Sequence, residues 1–207
     1  MIVFKKAADI GRFLHQASEK GRKTGFVPTM GALHQGHISL IGTAKSSGNL
    51  VISSIFVNPT QFNDVKDFQN YPSTIEKDID QLENAGCDVL FLPSVDEMYP
   101  DGLMNKTPYE LGYLETVLEG KYRPGHFQGV CQVVHRLLSI IPADFLYLGQ
   151  KDFQQCMVLK KMMEGKGLKT TVIICPTLRE ADGLAMSSRN MRLNETARAK
   201  AVEIFKT

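Results

Sequence analysis

Neither sign of charge dominates this 207-residue sequence: 24 Lys and Arg stand against 22 Asp and Glu, a formal net charge of +2. With so small an excess, no basic run and no arginine-rich arm, neither a nucleic acid nor a membrane surface is an expected partner. Only four cysteines occur (Cys87, Cys131, Cys156 and Cys175), and none forms a C-x-x-C pair. That spacing excludes a zinc knuckle and a redox dithiol, and three of the four sit in apolar segments, as buried free thiols do. No apolar run approaches membrane-spanning length. The opening stretch, MIVFKKAADIGRFL, mixes polar with apolar residues and lacks the h-region of a secretory signal. The expectation is a cytoplasmic chain.

What the sequence does contain is the material of an α/β domain. Apolar residues make up 43% of it, enough to fill a core. Five short β-rich runs, at 25–29, 50–57, 88–93, 145–149 and 170–175, are nearly continuous apolar stretches. Strands buried on both faces of a parallel sheet read this way. Helical patterns separate the runs. Ser73-Thr-Ile-Glu76 has the form of a capping box opening a helix that Gly86 closes. Asp152, with Gln155 three residues on, predicts a capped helix running to about Gly165, and Gly36 precedes a helix over 38–44. Strands alternating with helices predict a doubly wound, five-stranded parallel sheet. Asn194 caps a further helix that reaches the last residues. The expected organisation is a nucleotide-binding domain over 1–190 and, over 191–207, the start of a carboxyl-terminal domain that is largely absent.

Ligands of open parallel sheets bind beyond the carboxyl ends of the strands, and polar clusters follow four of the five runs. His34 and His37, after the first run, sit at a strand-to-helix turn where free N–H groups favour phosphate. Imidazoles there can donate to charge building on a phosphoryl group; the plainer alternative is one His capping the turn and one packed. Asn58-Pro-Thr-Gln61 ends the second run. Asn-Pro is a turn opener, whereas the Gln61 amide can serve a carboxylate or hydroxyl. Lys151, after the fourth run, suits phosphate neutralisation, and Gln155 divides between cap and ligand contact. After the fifth run, Ser187, Ser188 and Arg189 bring hydroxyls and a guanidinium beside a Gly-containing loop, equipment for gripping a triphosphate. Arg123, in a Gly/Pro loop before a helix, is either an anion contact or a surface residue.

His34-Gln-Gly-His37 with Met186-Ser-Ser-Arg189 resembles the HIGH and KMSKS-type pair of the nucleotidylyltransferase and class I aminoacyl-tRNA synthetase superfamily. The longer strings VPTMGALHQGH (27–37), FVNPTQF (56–62), RPGHFQGV (123–130), LGQKDFQQ (148–155) and READGLAMSSRN (179–190), in this order and spacing, resemble the pantoate–β-alanine ligase family along essentially the whole chain. The resemblance implies a Rossmann-like fold and a homodimer. It implies that ATP and pantoate give pantoyl-adenylate and pyrophosphate, and that β-alanine then displaces AMP. It places ATP on Met30, Gly31, Ala32, Leu33, His34, Gln35, Gly36 and His37, with His37 as the catalytic proton-donating residue. Gly149, Gln150, Lys151, Asp152, Leu178, Met186, Ser187, Ser188 and Arg189 complete the ATP site. Gln61 and Gln155 would hold pantoate, with Gln61 also beside β-alanine. Magnesium would arrive with ATP; no dedicated metal cage is visible. The family's usual Tyr-Pro-Arg-Thr is Tyr71-Pro-Ser-Thr74 here. A transferase moving AMP to a small phosphate ester, or a non-catalytic ATP-binding fragment, would share H-x-G-H and the fold.

Overall fold

The computed structural model describes residues 1–63, 65–103 and 107–206. All five apolar runs become parallel strands, and a sixth precedes them. The strands are β1 (Ile2–Phe4), β2 (Thr24–Thr29), β3 (Leu50–Ile55), β4 (Val89–Phe91), β5 (Phe145–Gly149) and β6 (Thr171–Cys175), in the sheet order β1-β4-β3-β2-β5-β6. The expected five-stranded sheet is therefore corrected to six. The missed strand is three residues long and lies at the edge, where Ile2 and Val3 stay exposed. An edge strand of that length carries none of the two-sided burial that marks the others.

Nine helices occur among the described residues: α1 (Ala7–Glu19), α2 (Gln35–Ser46), α3 (Val65–Gln69), α4 (Ile75–Asn84), α5 (Val95–Met98), α6 (Leu118–Tyr122), α7 (His126–Ile140), α8 (Phe153–Gly165) and α9 (Glu195–Lys206). They cover both faces of the sheet. Because side chains alternate along a strand, Phe26, Ile52 and Phe91 point to the face that carries α1, α7 and α8, packing with Ile10, Leu14, Val134, Leu138 and Leu159. Their chain neighbours Val27, Val51 and Leu90 point to the other face and pack with Leu40 and Ile41 of α2 and Leu82 of α4. Full burial of each such side chain contributes about 1.5–3 kcal/mol.

Two helix starts differ from the sequence pattern. Helix α4 starts one residue later than the Ser73–Glu76 box predicts: Thr74, not Ser73, stands at its N-cap, with no side-chain cap, and the Thr74 hydroxyl donates to Asp78. Asp152 does flank α8, but its carboxylate takes the Lys151 ammonium at 3.0 Å rather than capping. Asn194 does cap α9, accepting from the Ala197 N–H at 2.8 Å.

The winding of the chain creates a crevice. From β2 the chain steps through β3 to β4 on one side, and α7 then returns it to β5 on the other side of β2. Strand order thus reverses between β2 and β5. The β2–β3 pairing continues to Thr29, while the β2–β5 pairs are Gly25 with Phe145 and Phe26 with Leu146. Beyond Phe26 the two central strands part. Pro28 stands just there, and its missing N–H leaves no donor unpaired where β5 departs.

Candidate active site

The crevice opens into a cleft of about 650 Å³ lined from the carboxyl ends of β2, β3, β5 and β6. That is within the usual range for small-molecule sites, about 300–1,000 Å³. All four polar clusters meet in it: Met30, His34, Gly36 and His37; Gln61; Gly149, Lys151, Asp152 and Gln155; and Leu178 with Met186, Ser187, Ser188 and Arg189. Arg123 and His126, from the loop entering α7, line it as well. Other expected contacts stand apart from the lining. Gly31, Ala32 and Leu33 are buried beneath it, and Gln35 and Gln150 are exposed beside it.

The two histidines cap their own helix. His34 Nδ1 accepts from the Gly36 N–H at 3.1 Å, and His37 Nδ1 accepts from the His34 N–H at 3.3 Å, bringing the rings within 4.1 Å. With Nδ1 engaged as acceptor, each neutral ring carries its proton on Nε2. Both rings take part in the cap, and the cap selects the tautomer. Burial holds His37 neutral, its pKa pushed down to about 3 with His34 and Lys151 adding repulsion. Burial, then Lys151, lowers His34 in the same direction. In the open site His37 thus offers an N–H bond rather than a mobile proton. A Cβ at Gly36 would lie 2.8 Å from His34 Cε1, so a side chain there would displace the His34 ring.

Gln61 sits on a 3-10 turn, Pro59–Gln61, that α7 supports from below. Its Nε2 donates to Met30 Sδ and its Oε1 accepts from Asn58 Nδ2 at 3.2 Å. Asn58 is fully buried and also donates to Gly129 O and accepts from the Tyr99 hydroxyl at 2.8 Å. The backbone oxygen of Gln61 meets His126 Nδ1 at 2.8 Å. At Gly129 any Cβ would come within 2.2 Å of Thr60 O, so only glycine lets α7 approach this closely. Asn58 is legible in the sequence only as a turn residue, and Tyr99 not at all. The one available signal for Asp78 is a carboxylate four residues before Leu82 on the buried stripe of α4.

The loop after β6 is a hydrogen-bonded hairpin. Arg179 pairs with Ala185 across an antiparallel bridge, and Glu180 N donates to Leu184 O at 2.8 Å. Helix α9 braces it. Arg198 bonds Glu180 and Asp182, and the Arg179 guanidinium lies 4.2 Å from the centre of the Phe205 ring. The hairpin delivers Ser187 to Arg189 to the cleft, where the Arg189 guanidinium faces the Tyr71 ring at 5.9 Å.

The family described as pantoate-beta-alanine ligase matches residues 2–207. The chain belongs to that family. A pantothenate synthetase of Porphyromonas gingivalis is 47% identical over 204 residues, which cover 99% of this chain and 72% of that protein. The crystal structure of a Thermus thermophilus pantothenate synthetase superposes with a TM-score of 0.91 at 41% identity, covering 100% of this chain and 72% of that one. A Francisella tularensis pantoate-beta-alanine ligase, solved with beta-gamma ATP and beta-alanine, gives 0.90 at 46% identity and coverages of 100% and 78%. A tyrosyl-tRNA synthetase of Archaeoglobus fulgidus, at 14% identity over 93% of this chain and a TM-score of 0.50, shares the fold alone.

Proposed function

We propose that the cleft converts pantoate and ATP to pantoyl-adenylate and pyrophosphate, and that β-alanine then takes the acyl group to give pantothenate and AMP. One observation carries this reading: neutral imidazole donors, a lysine, a Ser-Ser-Arg turn and two amides converge on one cleft at the point where strand order reverses. The relative solved with beta-gamma ATP and beta-alanine supports two of the three substrates.

In this scheme a carboxylate oxygen of pantoate attacks the α-phosphorus and the bond to the pyrophosphate oxygen breaks. The Nε2–H groups of His34 and His37 donate to the oxygens on which charge builds. Lys151, released from the exposed Asp152, and Ser187, Ser188 and Arg189 take the β- and γ-phosphates. Met30, His34, Gly36 and His37, with Gly149, Lys151, Asp152 and Leu178, form the floor for the nucleotide, over the buried 31–33 turn. Gln61 and Gln155 hold pantoate, with Gln61 beside the amine of β-alanine. That amine attacks the acyl carbon, loses a proton, and AMP leaves with the former carboxylate oxygen. Magnesium would accompany ATP and would neutralise phosphate charge in the cleft. Among the described residues no group of three or more His, Cys, Asp or Glu side chains could hold an ion.

The family resemblance supports a homodimer and a cytoplasmic setting, the latter in keeping with four buried free thiols. Among the described residues no helix is long and apolar enough to cross a membrane. The test is product analysis: pyrophosphate and AMP released only when pantoate is present, and pantothenate formed only when β-alanine is added. Pyrophosphate release indifferent to pantoate, or formation of ADP, contradicts the scheme.

A further inference from the structure

The turn leading to the histidines is held in an uncommon conformation. Gly31 and Ala32 are consecutive left-handed residues, with φ of 80° and 50°. Glycine adopts that region freely, whereas an alanine there is disfavoured by its Cβ. Something must fix Ala32, and the fixing group is on α4. Asp78, 1% exposed, accepts the Ala32 N–H on Oδ2 and the Leu33 N–H on Oδ1, each at 2.9 Å. The Thr74 hydroxyl donates to the same carboxylate at 3.1 and 3.2 Å and steadies it. Gly31 completes the fit, since a Cβ there would lie 3.0 Å from Asp78 Oδ2. Leu33 is followed directly by His34, whose own N–H is the one His37 Nδ1 accepts. Asp78 does not line the cleft. It borders a separate cavity on the far side of the Met30–Gly31 turn.

We propose that Asp78 is a positioning residue for adenylate formation: its buried carboxylate clamps the left-handed Gly31–Ala32 turn and thereby sets the His34 and His37 donors in the cleft. Two successive N–H groups need two acceptors on one rigid group, which a carboxylate supplies. An amide supplies one acceptor and turns an N–H donor against the other backbone N–H. With the clamp gone, Ala32 relaxes to negative φ and the histidines move with it. No substrate contact is lost, because Asp78 makes none. The inference deepens the reading of the cleft as an adenylation site and rests on it.

The experiment compares the wild type with Asp78→Asn and with Asp78→Asn/Ala32→Gly. Pantoate-dependent ATP–pyrophosphate exchange and, without ligand, the ring ¹⁵N shifts of His34 and His37 are measured. Asp78→Asn is expected to lower kcat for exchange roughly 10–100-fold, the scale of a misplacement near 1 Å, with the ATP KM changed less than about threefold. His37 Nδ1 should lose its acceptor signature at the same time. Ala32→Gly, which tolerates the left-handed turn without a clamp, should restore several-fold of the lost rate and the Nδ1 signature. A merely structural carboxylate predicts no such rescue. Should Asp78→Asn not fold, Thr74→Val, which removes only the hydroxyl steadying the carboxylate, should give the same changes in smaller degree. Unchanged exchange and unchanged ring shifts in a folded Asp78→Asn or Thr74→Val protein would overturn the proposal, as would a double variant no better than the single. A wild type without pantoate-dependent exchange would sink the adenylation reading instead, and the ring shifts would still decide the clamp.

Discussion

A single imidazole illustrates how the site is tuned. His37 spends Nδ1 on the helix it caps and presents Nε2–H to the cleft. Replacing it with Ala should cut adenylate formation by about 10²–10³-fold, the scale for losing one transition-state donor. The lost cap should cost about 1 kcal/mol of stability. Near-wild-type pyrophosphate release from folded His37→Ala would remove the residue from the mechanism. Its neutrality also has a pH signature. Between the ordinary value of 6.5 and the folded value of about 3, the unfolded chain binds a proton at His37 that the folded chain does not. Stability from this group is therefore complete above pH 6.5 and is lost as pH falls towards the folded value. The urea midpoint should fall less steeply over this window in His37→Gln than in wild type; parallel slopes would contradict the burial argument. The sequence divides Gln155 between cap and ligand contact. With no cap formed by the Asp152 side chain and Gln155 facing the cleft, Gln155→Ala should weaken pantoate binding and leave the melting temperature unmoved. A lower melting temperature with unchanged pantoate affinity would return the residue to a structural role.

Elements are legible where burial leaves a periodic trace. Strand β3 is buried at every residue and stands out as an apolar run, whereas β1, with two of its three residues exposed, leaves no trace. The contacts between elements are less legible, because they depend on approach distances that no periodicity records. Gly129 is the clearest case: in the sequence it is one more residue of a helix, and in the fold it is the point where α7 seats the Gln61 turn. Gly129→Ala should push that turn away. Overpacking of this kind typically costs about 1–3 kcal/mol, and pantoate affinity should fall more than ATP affinity, because Gln61 is assigned to the acid. Equal losses for both substrates, measured by their KM values in the exchange reaction, would show that the turn does not act through Gln61. The start of α4 departs from its sequence pattern for a related reason. Ser73 and Thr74 both offer a hydroxyl at this helix start, and only the fold reveals the buried carboxylate that Thr74 serves from the N-cap position.

At the scale of the whole molecule, the winding order does what no single motif could. Strand order reverses between β2 and β5, the two strands part at Pro28, and every polar cluster that follows a carboxyl end faces the same space. The clusters are visible in the sequence, and their placement after strands is predictable from it. Asn58, Tyr99 and Asp78 escape such reading, because they act below the cleft surface on groups distant in the chain. The central claim is that this space activates a carboxylate by joining it to AMP. Pantoate labelled with ¹⁸O in both carboxylate oxygens tests that claim most directly. Attack on the α-phosphorus predicts one labelled oxygen in the AMP released and one in the amide carbonyl of pantothenate, with none in pyrophosphate. Unlabelled AMP, or label appearing in a phosphate or pyrophosphate product, would contradict the account.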